Sequence, residues 1–348
     1  MNRILKALLA CVVLVLAGTG VFVAAAWAPD QSVDALKARW APPPSQFLAV
    51  NGYQVHLRDE GPRDDAVPVV LLHGTSASLH TWDGWAQELA KTRRVIRFDM
   101  PGFGLTGPAP DNDYRLEAYV KLVVAVMDQL GVKSFVLGGN SLGGRIAWGV
   151  AVAHPERVQK LVLVDAGGYR FTGALPIGFR IAEIPVLNRI MEVTLPRFMV
   201  EDSVRNVYGD PARVTPELVD RYYDLTLRAG NRAALRERFA QQDLATDFTD
   251  QIRTIRQPTL ILWGAQDRLL VPADAERFHR DIPGSQLVMF EALGHVPQEE
   301  DPAATLAPVL AFLTADAGEA SPEMAATPAA DTGVPAAPAT AEMAVGAN

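Results

Sequence analysis

A single cysteine, Cys11, stands among the 348 residues. That excludes an intrachain disulfide and any cysteine-built metal site. A surplus of positive charge is also missing, since 32 Lys and Arg face 40 Asp and Glu for a net charge of −8. Nucleic-acid binding needs a basic face that displaces phosphate counterions, so that class is set aside. There is no Gly-rich phosphate loop, no His/Cys cluster and no dinucleotide fingerprint. Gly102 and Gly104 follow Asp99 in a turn and do not open a G-x-G-x-x-G helix. No cofactor and no metal is therefore expected, and nothing implies a protein partner. Internal repeats are lacking, which argues against a solenoid. The remaining composition, 49 % apolar and 21 % charged, is that of a globular chain with a sizeable core.

The two ends differ from the middle. Residues 7–28 are uncharged, and at about 1.5 Å per residue they cover about 33 Å, enough for a hydrocarbon core of about 30 Å. A secretory signal has a shorter apolar region, about 7–15 residues, so a retained membrane helix is the first reading. Cleavage near Ala24 and Ala26 is the alternative. Arg3 and Lys6 precede the run while Asp30 and Asp34 follow it, which keeps the N-terminus cytoplasmic and exports the rest; Lys37 and Arg39 oppose that assignment. Residues 1–40 thus read as anchor and linker. Residues 315–348 hold 13 Ala, 4 Pro, five acids and no Lys or Arg. Such a segment cannot bury enough apolar surface to offset its chain entropy, and it reads as a disordered tail.

Between the ends, short apolar runs alternate with helical periodicity. Phe47–Val50 and Tyr53–Arg58 flank Asn51-Gly52, a strong hairpin signal. Val67–Leu72, Val95–Phe98, Phe135–Leu137, Leu161–Val164, Leu260–Leu262 and Leu287–Phe290 are continuously apolar, as parallel strands covered on both faces are. Within residues 114–130, Leu116, Val120, Val123, Val124, Met127 and Leu130 share one helical face. The pattern predicts an α/β fold: a mostly parallel central sheet flanked by helices, with an antiparallel hairpin at its edge. From Asp165 to Pro258 no strand is evident, and helical stretches (Glu217–Leu227, Arg232–Phe239) alternate with prolines. An inserted helical cap fits this interval better than a long loop. The expected divisions are 41–168 and 257–314 for the core and 169–256 for the cap. Its apolar residues Phe171, Ile177, Phe179, Ile181, Leu187, Met191, Phe198 and Met199 are expected mostly to pack its own core.

Gly139-Asn140-Ser141-Leu142-Gly143-Gly144 lies between the run at 135–137 and a helix starting near Leu142. Glycines there let backbone approach backbone and place the serine on a strained strand-to-helix elbow. Four more segments follow in order: His73-Gly74, Asp99-Met-Pro-Gly-Phe-Gly104, Leu262-Trp-Gly-Ala-Gln-Asp267, and Gly294-His295 before Val-Pro-Gln-Glu-Glu-Asp-Pro. Over residues 68–313 the chain resembles the α/β-hydrolase superfamily, in the capped branch that holds esterases, lipases, epoxide hydrolases, haloalkane dehalogenases and meta-cleavage-product hydrolases.

The resemblance implies Ser141 as nucleophile, His295 as its base and Asp267 as the acid that orients the imidazole, in the order Ser–Asp–His. Asp165, after the preceding strand, is the alternative acid, and Asp99 belongs to a structural corner. The oxyanion donors would be the backbone N–H groups of Leu142 and Thr75, with Ser76 as the second choice for the latter. A serine nucleophile favours acyl transfer over alkyl displacement, hence an ester with an apolar acyl or alcohol part as the small-molecule substrate. Carbon–carbon cleavage of a vinylogous diketone is the alternative, because the elbow resembles that of meta-cleavage-product hydrolases. Gly-Thr-Ser-Ala-Ser after His73 and Val296 after His295 depart from that subgroup. A cofactor-free perhydrolase and a membrane-tethered binding protein on an inactive hydrolase fold are further alternatives.

Overall fold

The computed structural model describes residues 3–172, 192–241 and 246–315. The expected tail beyond 315, and Ile177, Phe179, Ile181, Leu187 and Met191 of the expected cap, lie outside these residues. Helices α1 (Arg3–Ala25) and α2 (Val33–Trp40) come first, then strands β1 (Gln46–Val50) and β2 (Tyr53–Glu60). Asn51 and Gly52 join the two strands with φ of 48° and 85°, the left-handed pair that a tight hairpin requires. Next come β3 (Val69–Leu72), α3 (Asp83–Leu89), β4 (Val95–Phe98), α4 (Leu116–Gln129), β5 (Phe135–Asn140), α5 (Leu142–Ala153) and β6 (Val158–Val164).

Eight strands form one sheet in the order β1-β2-β4-β3-β5-β6-β7-β8, with β7 (Thr259–Gly264) and β8 (Gln286–Phe290) at the far edge. The β1–β2 and β2–β4 pairs are antiparallel and the remaining five are parallel. Each run read as a strand is one. The edges moved: β3 starts at Val69 because Pro68 has no N–H to give the ladder, and β5 runs on through Gly138-Gly139-Asn140 to the elbow.

The continuous apolar runs resolve into two faces. Val70, Leu72, Ile96, Phe98, Leu137 and Leu163 pack with α4 and α5 through Val123, Met127 and Trp148. Val69, Leu71, Val95, Val136 and Val162 pack on the other face with Trp82, Trp85, Leu306 and Phe312. Alternation along each strand places successive side chains on opposite faces, and each fully buried Leu or Phe contributes about 1.5–3 kcal/mol. Helices on both sides thus clamp the sheet and leave the carboxyl ends of the parallel strands free to carry loops.

Among the described residues between β6 and β7, the elements are helical: α6 (Arg197–Val207), α7 (Pro216–Thr226), α8 (Asn231–Gln241) and the short α9 (Thr249–Ile252). Thr215 caps α7 by accepting from Leu218 N–H, and Pro216 occupies its first turn, where no N–H is needed. After β7 come α10 (Ala273–Asp281), and after β8 come α11 (Pro297–Glu300) and α12 (Pro302–Thr314).

Candidate active site

Ser141 sits between β5 and α5 with φ 55° and ψ −114°, a left-handed conformation that costs a side-chain-bearing residue on the order of 1–3 kcal/mol. Two glycines make that turn possible. A Cβ on Gly143 would lie 2.1 Å from Leu72 O, and one on Gly139 would lie 2.2 Å from Gly143 O. Only a bare backbone fits at either position. Bonds from Ser141 N–H to Val164 O (3.0 Å) and from Gly167 N–H to Ser141 O (3.1 Å) tie the elbow to the end of β6.

His295 lies in the loop after β8, and its Nδ1 is 2.7 Å from Asp267 Oδ2. A carboxylate only accepts, so Nδ1 carries the ring proton and Nε2 of the neutral ring is left to accept another. The other Asp267 oxygen accepts from the N–H groups of Leu269 (2.7 Å) and Leu270 (3.0 Å), which fixes the carboxylate in the loop after β7. Both residues are buried.

Asp165, the alternative acid, is in the same cluster rather than elsewhere. One side-chain donor atom of each of Asp165, Asp267 and His295 lies within 4.8 Å of the others. His295 Nδ1 is already engaged by Asp267, so Asp165 stands as a second carboxyl group beside the pair. Its Oδ1 accepts from Gly264 N–H (3.0 Å), while Oδ2 has no hydrogen-bond partner. Burial, and then the neighbouring Asp267, push the Asp165 carboxyl well above its ordinary range. A protonated Asp165 has a donor to offer where an ionised one would only repel.

The loop after β3 passes directly beside the serine. A Cβ on Gly74 would come within 3.1 Å of Ser141 Cβ. Among the described residues, neither the N–H of Thr75 nor that of Leu142 is paired with an acceptor. Arg238 of α8 donates to Thr75 Oγ1 at 2.9 Å, so the segment between β6 and β7 reaches the same loop. His73 is deeply buried, and burial pushes its imidazole down toward the neutral form. Its Nδ1 donates to Gly74 O (2.7 Å) and its Nε2 accepts from Met100 N–H (2.9 Å), which pins this loop to the one after β4.

Ser141, Thr75, Leu142 and His295 all line one predominantly apolar cavity of about 280 Å³. Phe171 and Met199 also line it, while Phe198 is 62 % exposed. These three face a void or solvent, and the other five apolar residues named for the cap lie outside the described residues. Val296 lines the cavity as well, and it also packs with Tyr208, Val214 and Val219.

Motif reasoning overlooked two positioning residues. Asn140 Nδ2 donates to His295 O at 2.9 Å, linking the elbow to the histidine loop. Glu300 accepts from the N–H groups of Gly294, Gly209 and Asp210 at 2.8–2.9 Å and so ties the histidine loop to α6. Both stand inside quoted motifs, but nothing in a sequence reveals which distant backbone group they reach.

A second serine–histidine–aspartate relay exists. His56 Nε2 is 3.0 Å from Ser45 Oγ, and His56 Nδ1 is 2.7 Å from Asp99 Oδ2. Ser45 also accepts from Arg58 Nε at 3.0 Å, and neither Ser45 nor His56 lies on the wall of the cavity. Asp99 spends its oxygens on Leu79 and Leu105 N–H groups as well. Burial opposes its charge, yet His56, through its charge and hydrogen bond, and then His73 and His80 hold it below the usual carboxylate range. This relay braces the corner between β2, β3 and β4.

The model for the alpha/beta hydrolase fold matches residues 67–302. A 2-hydroxy-6-oxo-2,4-heptadienoate hydrolase of Pseudomonas putida is 30 % identical over 283 residues, covering 78 % of this chain and 96 % of its own. A meta-cleavage product hydrolase from Pseudomonas fluorescens IP01 has a similar structure (TM-score 0.66, 26 % identity, 77 % of this chain and 96 % of that one). A membrane phospholipase A shares the fold at 24 % identity (TM-score 0.67, 88 % of this chain and 97 % of that one). With its elbow, its sheet order and this match over most of its length, the chain belongs to the alpha/beta hydrolase fold family.

Proposed function

We propose that the chain is a serine hydrolase that cleaves carboxylic esters through an acyl-enzyme. The observation that carries this reading is a strained Ser141 sharing one apolar cavity with an imidazole whose Nδ1 is bonded to Asp267. In this reading Ser141 Oγ attacks the ester carbonyl while His295 Nε2 takes its proton, and the N–H groups of Thr75 and Leu142 receive the developing oxyanion. His295 then protonates the departing alcohol, and water attacks the acyl-enzyme by the same route. Residues 169–256 act as a cap that excludes water, with the core formed by 41–168 and 257–314 and a tail at 315–348. The 3–25 helix serves as a membrane anchor with the catalytic domain exported, its alternative being a cleaved signal.

A second reading has specific support. The Pseudomonas putida relative is named as the hydrolase of a hydroxy-oxo-dienoate, a carboxylate-bearing substrate. Arg145 and Arg238 both line the cavity, where they would meet such a charge. Against it stand Gly-Thr-Ser-Ala-Ser after His73 and Val296 after His295, both departures from that subgroup's pattern. The test compares kcat/KM for unactivated alkyl esters with that for a vinylogous diketone ring-fission product. The ester reading predicts that the ester wins. A diketone advantage of a hundredfold, about 2.7 kcal/mol of transition-state preference, would transfer the assignment to carbon–carbon cleavage.

A further inference from the structure

Outside α1, five large apolar side chains among the described residues are exposed: Trp27, Phe47, Val193, Phe198 and Leu310. Two of them, Trp27 (57 %) and Val193 (38 %), flank one short bridge, and Phe198 (62 %) follows it in the chain at the start of α6. There Trp27 pairs with Thr194 in antiparallel fashion, Leu195 N–H donates to Ala26 O (3.0 Å) and Ala28 N–H donates to Val193 O (3.0 Å). A second bridge follows at once. Gln31 N–H donates to Leu227 O (2.7 Å), and Ala229 N–H donates to Gln31 O (2.8 Å). Asp30 accepts from Gly230 N–H (3.0 Å) and from Arg232 (2.6 Å). Further along, Arg39 pairs with Asp220 and Asp224, and Trp40 Nε1 donates to Asp224 (3.0 Å).

The segment leaving α1 is therefore bonded, turn after turn, to the helical insertion between β6 and β7. That insertion is a wall of the cavity: Leu195, Met199, Val200, Tyr222 and Thr226 all line it. Leu195 does both, holding Ala26 with its backbone and lining the void. Helix α1 itself spans 23 residues with a mean hydropathy of 2.6 in its most apolar window and no burial against the rest of the chain. Such a surface is stable only in a non-aqueous phase. Exposed Trp27, two residues past the end of that helix, extends its apolar surface, and an amphipathic indole suits the headgroup layer of a bilayer; Phe198 adds exposed apolar area just beyond the bridge.

We infer that the patch of Trp27, Val193 and Phe198 rests on a lipid bilayer and brings the cavity wall to it, so that the substrate is an amphiphilic lipid ester drawn from the membrane rather than a dissolved ester. This rests on the serine-hydrolase reading and names its substrate class. Exposed single residues carry no interpretation by themselves. Here Trp27 follows directly on a membrane-length helix, and its bridge staples it to the active-site wall that carries Val193 and Phe198.

The experiment uses the full chain in phosphatidylcholine vesicles. One substrate is a fluorogenic glycerophospholipid ester in the same bilayer, and the other is water-soluble p-nitrophenyl butyrate. Trp27→Ser with Phe198→Ser should lower turnover of the vesicle-resident ester tenfold or more and leave the soluble ester within twofold. Equal losses on both substrates, no loss on either, or a wild type that turns over only the soluble ester would overturn the inference while leaving the serine-hydrolase reading intact. Failure on both substrates together with no fluorophosphonate labelling of Ser141 would instead sink that reading, and the inference with it. A second measurement does not depend on activity. Because Cys11 is the chain's single cysteine, Cys11→Ser with Phe198→Cys accepts one environment-sensitive fluorophore. Doxyl-labelled lipids should quench it strongly, and should leave the same probe at Phe47→Cys unquenched. Equal quenching at both positions, or protection at 198 that follows protein concentration as a second copy would cause, would refute the bilayer contact.

Discussion

Replacing Asp165 with Asn tests whether the buried carboxyl beside Asp267 holds a proton. Asn is isosteric, can accept from Gly264 N–H with its oxygen and can donate toward Asp267 with its nitrogen. It therefore copies a protonated aspartate and cannot copy an ionised one. In the unfolded chain Asp165 titrates near the ordinary aspartate value of about 3.9, whereas burial and Asp267 raise it in the native state. From about that value upward, toward the raised one, the native protein binds more protons than the unfolded chain. Stability drawn from the protonated form is thus complete below the unfolded value and is lost as the pH climbs through this window. For one proton the slope reaches about −1.4 kcal/mol per pH unit. The Asn variant lacks this term, and every other titrating group is common to both proteins. Urea unfolding in mild detergent micelles at pH 4.5, 5.5 and 6.5, followed by near-ultraviolet circular dichroism, should show the variant gaining on the wild type at each step by up to about that amount. Parallel pH dependences would refute a proton held at Asp165.

Four further outcomes follow from the site. Asp267→Asn should lower turnover by up to about 10⁴-fold, as in a serine-protease triad, by presenting the wrong imidazole tautomer, whereas Asp165→Asn should stay within tenfold; the reverse ranking would move the orienting role to Asp165. A fluorophosphonate probe should label wild type and Ser45→Ala equally and fail on Ser141→Ala, and labelling that depended on Ser45 would point to the second relay. Thr75→Val removes the Arg238 hydrogen bond at constant shape. Losing a charged hydrogen bond of about 1.5–3 kcal/mol should reduce kcat at least tenfold with little change in KM, and an unchanged kcat would show that the loop holds its place without Arg238. Gly143→Ala would force a methyl to 2.1 Å from Leu72 O. The variant should fail to accumulate as folded protein, and a normal yield with native circular dichroism would contradict the close approach.

Periodicity and punctuation were enough to place all eight strands, because continuous apolar runs bounded by turn residues have few other uses. Asn51-Gly52 specified its hairpin for the same local reason, since both positions need positive φ. The positions of Ser141 at an elbow and His295 in a loop after a strand were legible because their constraints are also local: an elbow needs glycines on either side, and the histidine loop follows an apolar run. Asp165 and Asp267 could not be told apart by residue type, as both follow parallel strands of similar composition. Their separation rests on which oxygen meets His295 Nδ1, a matter of loop path after β6 and β7. Asn140, Glu300 and Arg238 were silent for a related reason, since each acts on a backbone or side-chain group far along the chain.

The linker gave the least away. Residues 26–40 carry no periodicity that announces a partner, yet their bonds run to an insertion some 170–200 residues later. Local signals are written by the neighbours a residue has in the chain, through dihedral preference and side-chain spacing. Contacts such as Asp30 with Arg232, or a Trp27 left facing outward beside Val193, arise only when the sheet has closed and has chosen which distant segments meet.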